Sequence, residues 1–414
     1  MSHFLILTIV FGFILSTVDS RQCPDRASIE QSLLDGHIPG AVVLVVNQTD
    51  ILYQQAFGYQ SFSPEQSTDV DKSVFLLASI SKTMIAVSVM QLVESKQLDL
   101  DTDINKYLRS TDPKIVHPHY PSHVITLRQL LSHSASIGHN FELENHFFRP
   151  NDEALTLTAL ENACFHFLTS NASHWLRNPP GTVTLYSNVG TSLAALIVER
   201  VANLPFAKYV KRKILDPLGI NSSVASYCLS DIKPRENIVN HYTFNSSKET
   251  DWEHRTPGLN ITEINDKPGW LRIPFYSVTV YPAGLLRMSA PALSIFLRMF
   301  MKNDGSFLRR ESIEQMKTIV TGVTPYETTN PSPFPPPSFG IIWFWQKAEN
   351  GREYLGHGGS MPSVYNSMLI NKQGDRGFIF LTNGDTYPDN NISLDVHINF
   401  SKIRSIFLEC FDNN

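Results

Sequence analysis

Positive charge is in short supply in this chain. Its 414 residues hold 34 Lys and Arg against 39 Asp and Glu, a net charge of -5, and no basic run stands out. That excludes the clustered cations of a nucleic-acid footprint. Long apolar runs are also scarce. Phe4 to Leu15 is too short to span a bilayer, and no later segment is apolar for long enough. There are four cysteines, Cys23, Cys164, Cys228 and Cys410, and none forms the C-x-x-C pair that marks a zinc site. H-E-x-x-H is missing as well. The histidine groups His117, His119, His123 and His133, His139, His146 come without a carboxylate pattern, so a metalloenzyme is not expected. No internal repeat is present, and no cofactor is called for. What remains is ordinary globular composition, 42% hydrophobic and 18% charged, in a chain long enough for a large core.

The N-terminus reads as a secretory leader. Val18 and Ser20 occupy small-residue positions after the short apolar run, which places cleavage after Ser20 and makes residues 1–20 the signal peptide. The positively charged leader start is missing, and an uncleaved anchor is the alternative. Seven N-x-[ST] triplets, at Asn47, Asn171, Asn221, Asn245, Asn260, Asn391 and Asn399, fit a secreted or secretory-lumen location. In an oxidising compartment four cysteines suggest two disulfides in one of three connectivities, the alternative being four buried thiols.

Local pattern supplies the elements. Asp25 to Leu34 predicts a helix, capped by Asp25 or Ser28 and stopped by Gly36. Residues 41–60 predict a hairpin around a polar turn, with residues 61–71 as a polar loop behind it. A mainly apolar stretch, 74-VFLLASISKTMIAVSVMQLVE-94, predicts a buried helix over its later part, and 98-LDLDTDINKYL-108 is acidic and turn-like. Residues from about 110 to 270 show helical patterns joined by long polar loops. Strands return after Val278, at 340–346, 352–357, 363–370 and 377–383, with a hairpin turn at 371–376. Residues 393–410 have helical periodicity. The N- and C-terminal parts are expected to share one sheet. If the chain ends meet there, the disulfides are Cys23–Cys410 and Cys164–Cys228. The proline-rich patch 331–340 reads as a stiff surface loop rather than a ligand.

Three polar constellations carry possible chemistry. Ser79 and Lys82 are three residues apart at the start of the buried helix, so they share a face. Burial lowers an amine's pKa, and a neutral lysine can take a serine proton. The pattern S-x-x-K is cheap: Ser230 and Lys233 repeat it where Pro234 and a polar setting predict only loop. Tyr186 and Asn188 are two residues apart before a helix led by Ser187 or Asn188, so both can face one cleft. A phenol beside a desolvated amine can relay a proton. Alone, this pair would read as a buried tyrosine with a capping asparagine. His357, Gly358 and Gly359 end a strand, where glycines admit close approach and the N–H of Ser360 can join that of Ser79 as an oxyanion hole. The bland alternative is a bulge with a surface histidine. Lys372 to Gly374 offers a competing K-x-G in a hairpin turn.

In order, S-I-S-K, Y-S-N and H-G-G resemble the serine β-lactamase and penicillin-binding-protein superfamily, in its class C-like branch. The resemblance runs from about Ile38 to Asn383, with support from 38-IPGAVVLVVN-47, 125-ITLRQLLSHSASIG-138, 180-PGTVTLYSN-188, 281-YPAGLLRMSAPALSIFLRMF-300, 339-FGIIWFW-345 and 377-GFIFLTNGD-385. It implies an α+β fold, an antiparallel sheet flanked by helices with an inserted mainly helical region. The domain expected is a single one over residues 25–410, its α/β part at about 25–95 plus 278–410 and its helical part at about 96–277. Carried over by position, Ser79 is the nucleophile, Lys82 its base, Tyr186 the proton-transfer partner and Asn188 a substrate contact. Gly359 and Ser360 fall on the oxyanion strand, and His357 stands where class C β-lactamases hold a lysine. A neutral histidine offers a β-lactam carboxylate no partner, and esterases and peptidases of the group often have histidine here. Residues 132–138 lack the glycine that usually follows the family's H-T-S. The implied activity is an acyl-enzyme hydrolase acting on a small ester, amide or short peptide. A catalytically silent binding protein is the alternative, and the intact trio argues against it.

Overall fold

A computed structural model describes residues 23–138, 144, 148–169, 174–244, 256–327, 336–384 and 391–412. The leader at 1–20, Asn171, Asn245 and residues 331–335 of the proline-rich patch lie outside the described residues.

Helix α1 (Arg26–Asp35) is capped by Asp25, whose carboxylate accepts from the Ala27 N–H, and ends at Gly36. We number only the strands of the main sheet and the helices of ten residues or more. The hairpin is β1 (Gly40–Val46) and β2 (Ile51–Phe62), and a short β3 (Glu65–Ser67) interrupts the expected loop. Helix α2 (Lys82–Glu94) follows a single 3-10 turn, Ala78–Ser81. Then come α3 (Ala159–Thr169), α4 (Asn188–Ala202) and α5 (Ala290–Lys302). The chain closes with β4 (Ser338–Phe339), β5 (Phe344–Lys347), β6 (Glu353–Met361), β7 (Val364–Asn371), β8 (Gly377–Thr382) and α6 (Asn391–Phe411). The sheet order is β4-β5-β6-β7-β8-β1-β2-β3, so the first hairpin and the last strands do share one antiparallel sheet, with Val42 opposite Leu381.

Every residue of β1 is buried, because helices cover both faces of the sheet. The strand's period of two divides it cleanly. Val42, Leu44 and Val46 face the larger core with α2 and α5, while Ala41, Val43 and Val45 face a smaller core with α1 and α6. The second layer closes at Cys23–Cys410, Cα to Cα 5.7 Å, which ties the start of α1 to the end of α6.

Four expectations need correction or refinement. Cys164 and Cys228 are free. Cys164 is wholly buried on α3 near Glu199 and Arg200 of α4, whereas Cys228 precedes a 3-10 turn near Asp152 and Asp231. Burial pushes both thiols up, Cys228 to about 11, so both stay protonated at neutral pH. Asn399 is buried on α6, unlike the exposed position a glycan acceptor needs. Asn221 and Asn260 are exposed, Asn47 is half-buried in the hairpin turn, and Asn391 opens α6. The apolar run 340–346 is strand only from Phe344. Ile342 has φ +66°, and the Ile341 and Ile342 N–H groups bond to the carbonyls of Met316 and Leu131. That run is apolar because it is buried: Trp343 stacks on Phe300 at 3.9 Å. Finally, the region expected to be helical carries small sheets. His241–Phe244 pairs with Trp270–Ile273, and Ala225–Ser226 pairs with Arg287–Met288, whose strand Arg287–Ser289 also pairs with Val74–Leu76 immediately before the Ser79 turn.

Candidate active site

The turn that carries Ser79 is held from three sides. Asn366 on β7 donates to the Leu76 carbonyl at 2.8 Å and accepts from the Thr382 N–H at 2.9 Å. The Leu77 N–H bonds to the Leu286 carbonyl at 2.8 Å, and the Leu286 N–H returns to Ser81 Oγ at 3.1 Å. Ala78 takes φ +49°, a left-handed conformation that costs a non-glycine residue roughly 1 kcal/mol. These contacts hold that conformation and fix the entry of α2.

In the 3-10 turn, residues three apart eclipse. Ser79 is half-buried and Lys82 fully buried, and Lys82 Nζ donates to Ser79 Oγ at 2.9 Å. Its second partner is the Ala283 carbonyl at 2.6 Å, in the 3-10 turn Tyr281–Ala283. Burial holds the lysine well below its ordinary pKa, and the Glu144 carboxylate only partly opposes this.

Tyr186 reaches the same place from the short strand Val183–Thr184. Ser187 caps α4 by accepting from the Gly190 N–H, which settles the choice between Ser187 and Asn188. The Tyr186 ring lies 4.9 Å from Lys82 Nζ. Burial raises its phenol pKa, and a hydrogen bond with Ser79 opposes the rise. Asn188 is half-buried in the first turn of α4, and among the described residues no hydrogen bond joins its side chain to Ser79 or Lys82.

The third wall is β6. His357 is buried, with Nδ1 2.6 Å from the Gly358 carbonyl, Phe344 edge-on at 5.0 Å and Tyr186 at 6.2 Å. Burial, then the nearby Lys82, push its pKa down to about 3, so it is neutral at neutral pH. A Cβ on Gly359 would sit 2.3 Å from the Leu77 carbonyl oxygen, so only glycine lets β6 pack against the Ser79 turn. Strand β5 pairs with β6 only from Glu353 to Gly356, which leaves residues 357–361 without a strand on that side; Ser360 is exposed there.

Residues from four places in the chain therefore meet around Ser79 and Lys82. Residues 26–399 match the family model described as Beta-lactamase. The chain belongs to the beta-lactamase family. Protein flp of Staphylococcus aureus (strain NCTC 8325 / PS 47) is 21% identical over 380 residues, 89% of this chain and 64% of that protein. Penicillin-binding protein 4* of Bacillus subtilis (strain 168) is 26% identical over 198 residues, 47% of this chain and 39% of that protein. The chain thus spans less than two thirds of these curated relatives. Among solved structures, a D-amino acid amidase from Ochrobactrum anthropi SV3 complexed with D-phenylalanine superposes with a TM-score of 0.69 at 17% identity, over 92% of this chain and 99% of that one. The octameric penicillin-binding protein homologue from Pyrococcus abyssi gives 0.68 at 21% identity, over 89% and 74%. EstCE1, a hydrolase with promiscuous acyltransferase activity, gives 0.67 at 18% identity, over 92% and 97%. These likenesses show the hydrolase fold of the beta-lactamase family.

The decoys fall away. Ser230 sits in a 3-10 turn and Lys233 precedes a loop proline, while Lys372 pairs with Glu353 on the surface. His117 is buried with Nε2 3.1 Å from Ser136 Oγ, while His139 and His146 lie outside the described residues. Ser136, within the 132–138 segment, takes φ +62°. The Ala283 carbonyl, Asn366 and His133 were missed by sequence reasoning, since nothing local to them marks a long-range partner.

Proposed function

We propose that this protein is a serine hydrolase that cleaves an ester or amide bond through an acyl-enzyme at Ser79. The observation that carries the reading is a fully buried Lys82 amine 2.9 Å from Ser79 Oγ. The Ala283 carbonyl takes one Nζ–H, so a neutral amine keeps its lone pair for the serine proton. Ser79 Oγ attacks the acyl carbon while its proton passes to Lys82. Tyr186, kept as a neutral phenol by burial, hands a proton to the leaving amine or alkoxide and is reprotonated from Lys82. Water then attacks the acyl-enzyme, its proton takes the same route, and Ser79 is restored. The N–H groups of Ser79 and Ser360 receive the oxyanion, and Asn188 contacts the substrate. Neutral His357 supplies no charge for a substrate carboxylate, which favours an uncharged acyl group over a β-lactam antibiotic. Substrates are small esters, amides or short peptides. The Cys23–Cys410 bond and the exposed Asn221 and Asn260 support a secreted or secretory-lumen location.

A fluorophosphonate probe followed by peptide mapping tests this reading. Label is expected on Ser79, with Ser79→Ala inert on a panel of esters and peptides. Lys82→Arg, which stays protonated and so has no lone pair for the serine proton, should label at least roughly 10²-fold more slowly. An unlabelled Ser79, with Ser79→Ala as active as wild type, would falsify the proposal.

A further inference from the structure

The segment around His133 is unusual for a residue outside the three motifs. His133 takes φ +57°, a conformation that side chains rarely adopt. Its carbonyl accepts the Leu185 N–H at 2.9 Å, and its Nδ1 accepts the Ser187 N–H at 3.1 Å. The two bonds bracket Tyr186 on both sides along the chain. The imidazole also lies against the Tyr186 ring, centroids 4.3 Å apart at 31°, and Phe339 closes on the imidazole edge-on at 4.8 Å. Tyr186 sits in neither helix nor strand, between the two-residue strand ending at Thr184 and the cap Ser187. Its own local structure does little to hold the phenol over Lys82.

We infer that His133 is a positioning residue for Tyr186, fixing the phenol on the line between Lys82 and the leaving group through backbone bonds at Leu185 and Ser187 and the stacked ring. The inference rests on the acyl-enzyme reading above. His133 hydrogen-bonds the backbone on either side of Tyr186, and among the described residues it makes no hydrogen bond to Ser79 or Lys82, so it acts through the tyrosine. The left-handed backbone is what lets one residue present its carbonyl to Leu185 and its Nδ1 to Ser187. Nδ1 is an acceptor, so the ring proton sits on Nε2. A displacement of the phenol by about 1 Å is enough to cost roughly 10²-fold in proton transfer.

The consequence is selective. A leaving group that departs readily as an anion needs no proton, and an alkoxide or amine does. The test uses esters sharing one acyl group, from 4-nitrophenyl to alkyl, plus the matching amide. His133→Phe keeps a stacked ring and deletes the acceptor. It should slow the alkyl ester and amide by roughly 10- to 100-fold and the 4-nitrophenyl ester by less than about threefold. His133→Asn tolerates positive φ and restores an acceptor near Nδ1, so it should recover the wild-type dependence on leaving group. His133→Gln, whose acceptor is displaced by one methylene, replaces His133→Phe should the latter not fold, with the same expectation. In a Tyr186→Phe background the His133 change should add nothing to leaving-group discrimination. Equal slowing of all substrates, an Asn variant no better than Phe, or an additive double mutant overturns the inference. Ser79 labelling in every variant separates this outcome from failure of the acyl-enzyme reading itself, which would show as activity surviving Ser79→Ala.

Discussion

Removing the titrating amine of Lys82 should reveal, in stability, the same proton that the proposed mechanism uses. Lys82 is fully buried, its bonded partners are a hydroxyl and a carbonyl, and burial depresses its pKa well below the ordinary lysine value. In the unfolded chain it titrates near about 10.4. Between the depressed folded value and about 10.4 the unfolded chain binds one proton more than the folded one. Stability therefore rises with pH across that window, by about 1.4 kcal/mol per unit. The penalty is complete below the folded pKa and disappears as pH rises through the unfolded value. Lys82→Met fills similar space without a titrating group. Its stability advantage over wild type should shrink between about pH 7 and about pH 9 by up to about 2.7 kcal/mol. Denaturant unfolding followed by tryptophan fluorescence measures it, and Ser79→Ala, which leaves the lysine in place, should track the wild-type pH dependence. The acid limb of kcat/KM should fall where the stability slope begins, because one lysine proton sets both. An advantage that stays flat within about 0.5 kcal/mol over that interval, or one that grows, would mean that Lys82 is an ordinary cation and not the base.

Two further changes probe the packing. Gly359→Ala places a Cβ 2.3 Å from the Leu77 carbonyl oxygen and 3.2 Å from Ala78 Cβ. Both are held by backbone, so β6 should lift off the Ser79 turn, slowing probe labelling by roughly 10²-fold with a loss of about 1–3 kcal/mol in a thermal or denaturant melt. His241 is buried against Phe275 and Tyr276, and its pKa is pushed down to about 3 by burial and by Arg287 and Arg272. Its unfolded value is near about 6.5, so the unfolded chain takes up the proton first and stability falls as pH drops through that window. His241→Phe should remove this term and gain up to about 2.7 kcal/mol on wild type between about pH 6 and about pH 4. Equal acid sensitivity in the two proteins would refute the assignment.

Much of the proposed catalytic pair was legible in local pattern. Ser79 and Lys82 belong to one turn, and a three-residue spacing puts them on one side whether that turn is 3-10 or α. The strands β6, β7 and β8 and the hairpin β1–β2 follow from β-rich runs and turn residues, and the helix α1 from its cap and stop. Where pattern misled, burial was the reason. The run 340–343 is apolar because Trp343 packs under Phe300, not because it joins a sheet, and Cys164 and Cys228 answer to separate surroundings that no spacing reveals.

The amino-acid sequence alone thus determined which groups are available for chemistry: a hydroxyl and an amine in one turn, a phenol before a helix cap, and a glycine-flanked histidine on a strand. Such features depend on residues a few positions apart, and their geometry is set by backbone periodicity. Tertiary structure alone decided what those groups are. Lys82 is held well below its ordinary pKa, as the proposed role of base requires, because folding buries it and brings the Ala283 carbonyl to it from 201 residues away. Tyr186 is bracketed by His133, 54 residues earlier, which accepts from Ser187 beside it and lies against the Tyr186 ring. Desolvation and long-range hydrogen bonds arise only when distant segments close on one another, so they leave no periodic trace in the chain.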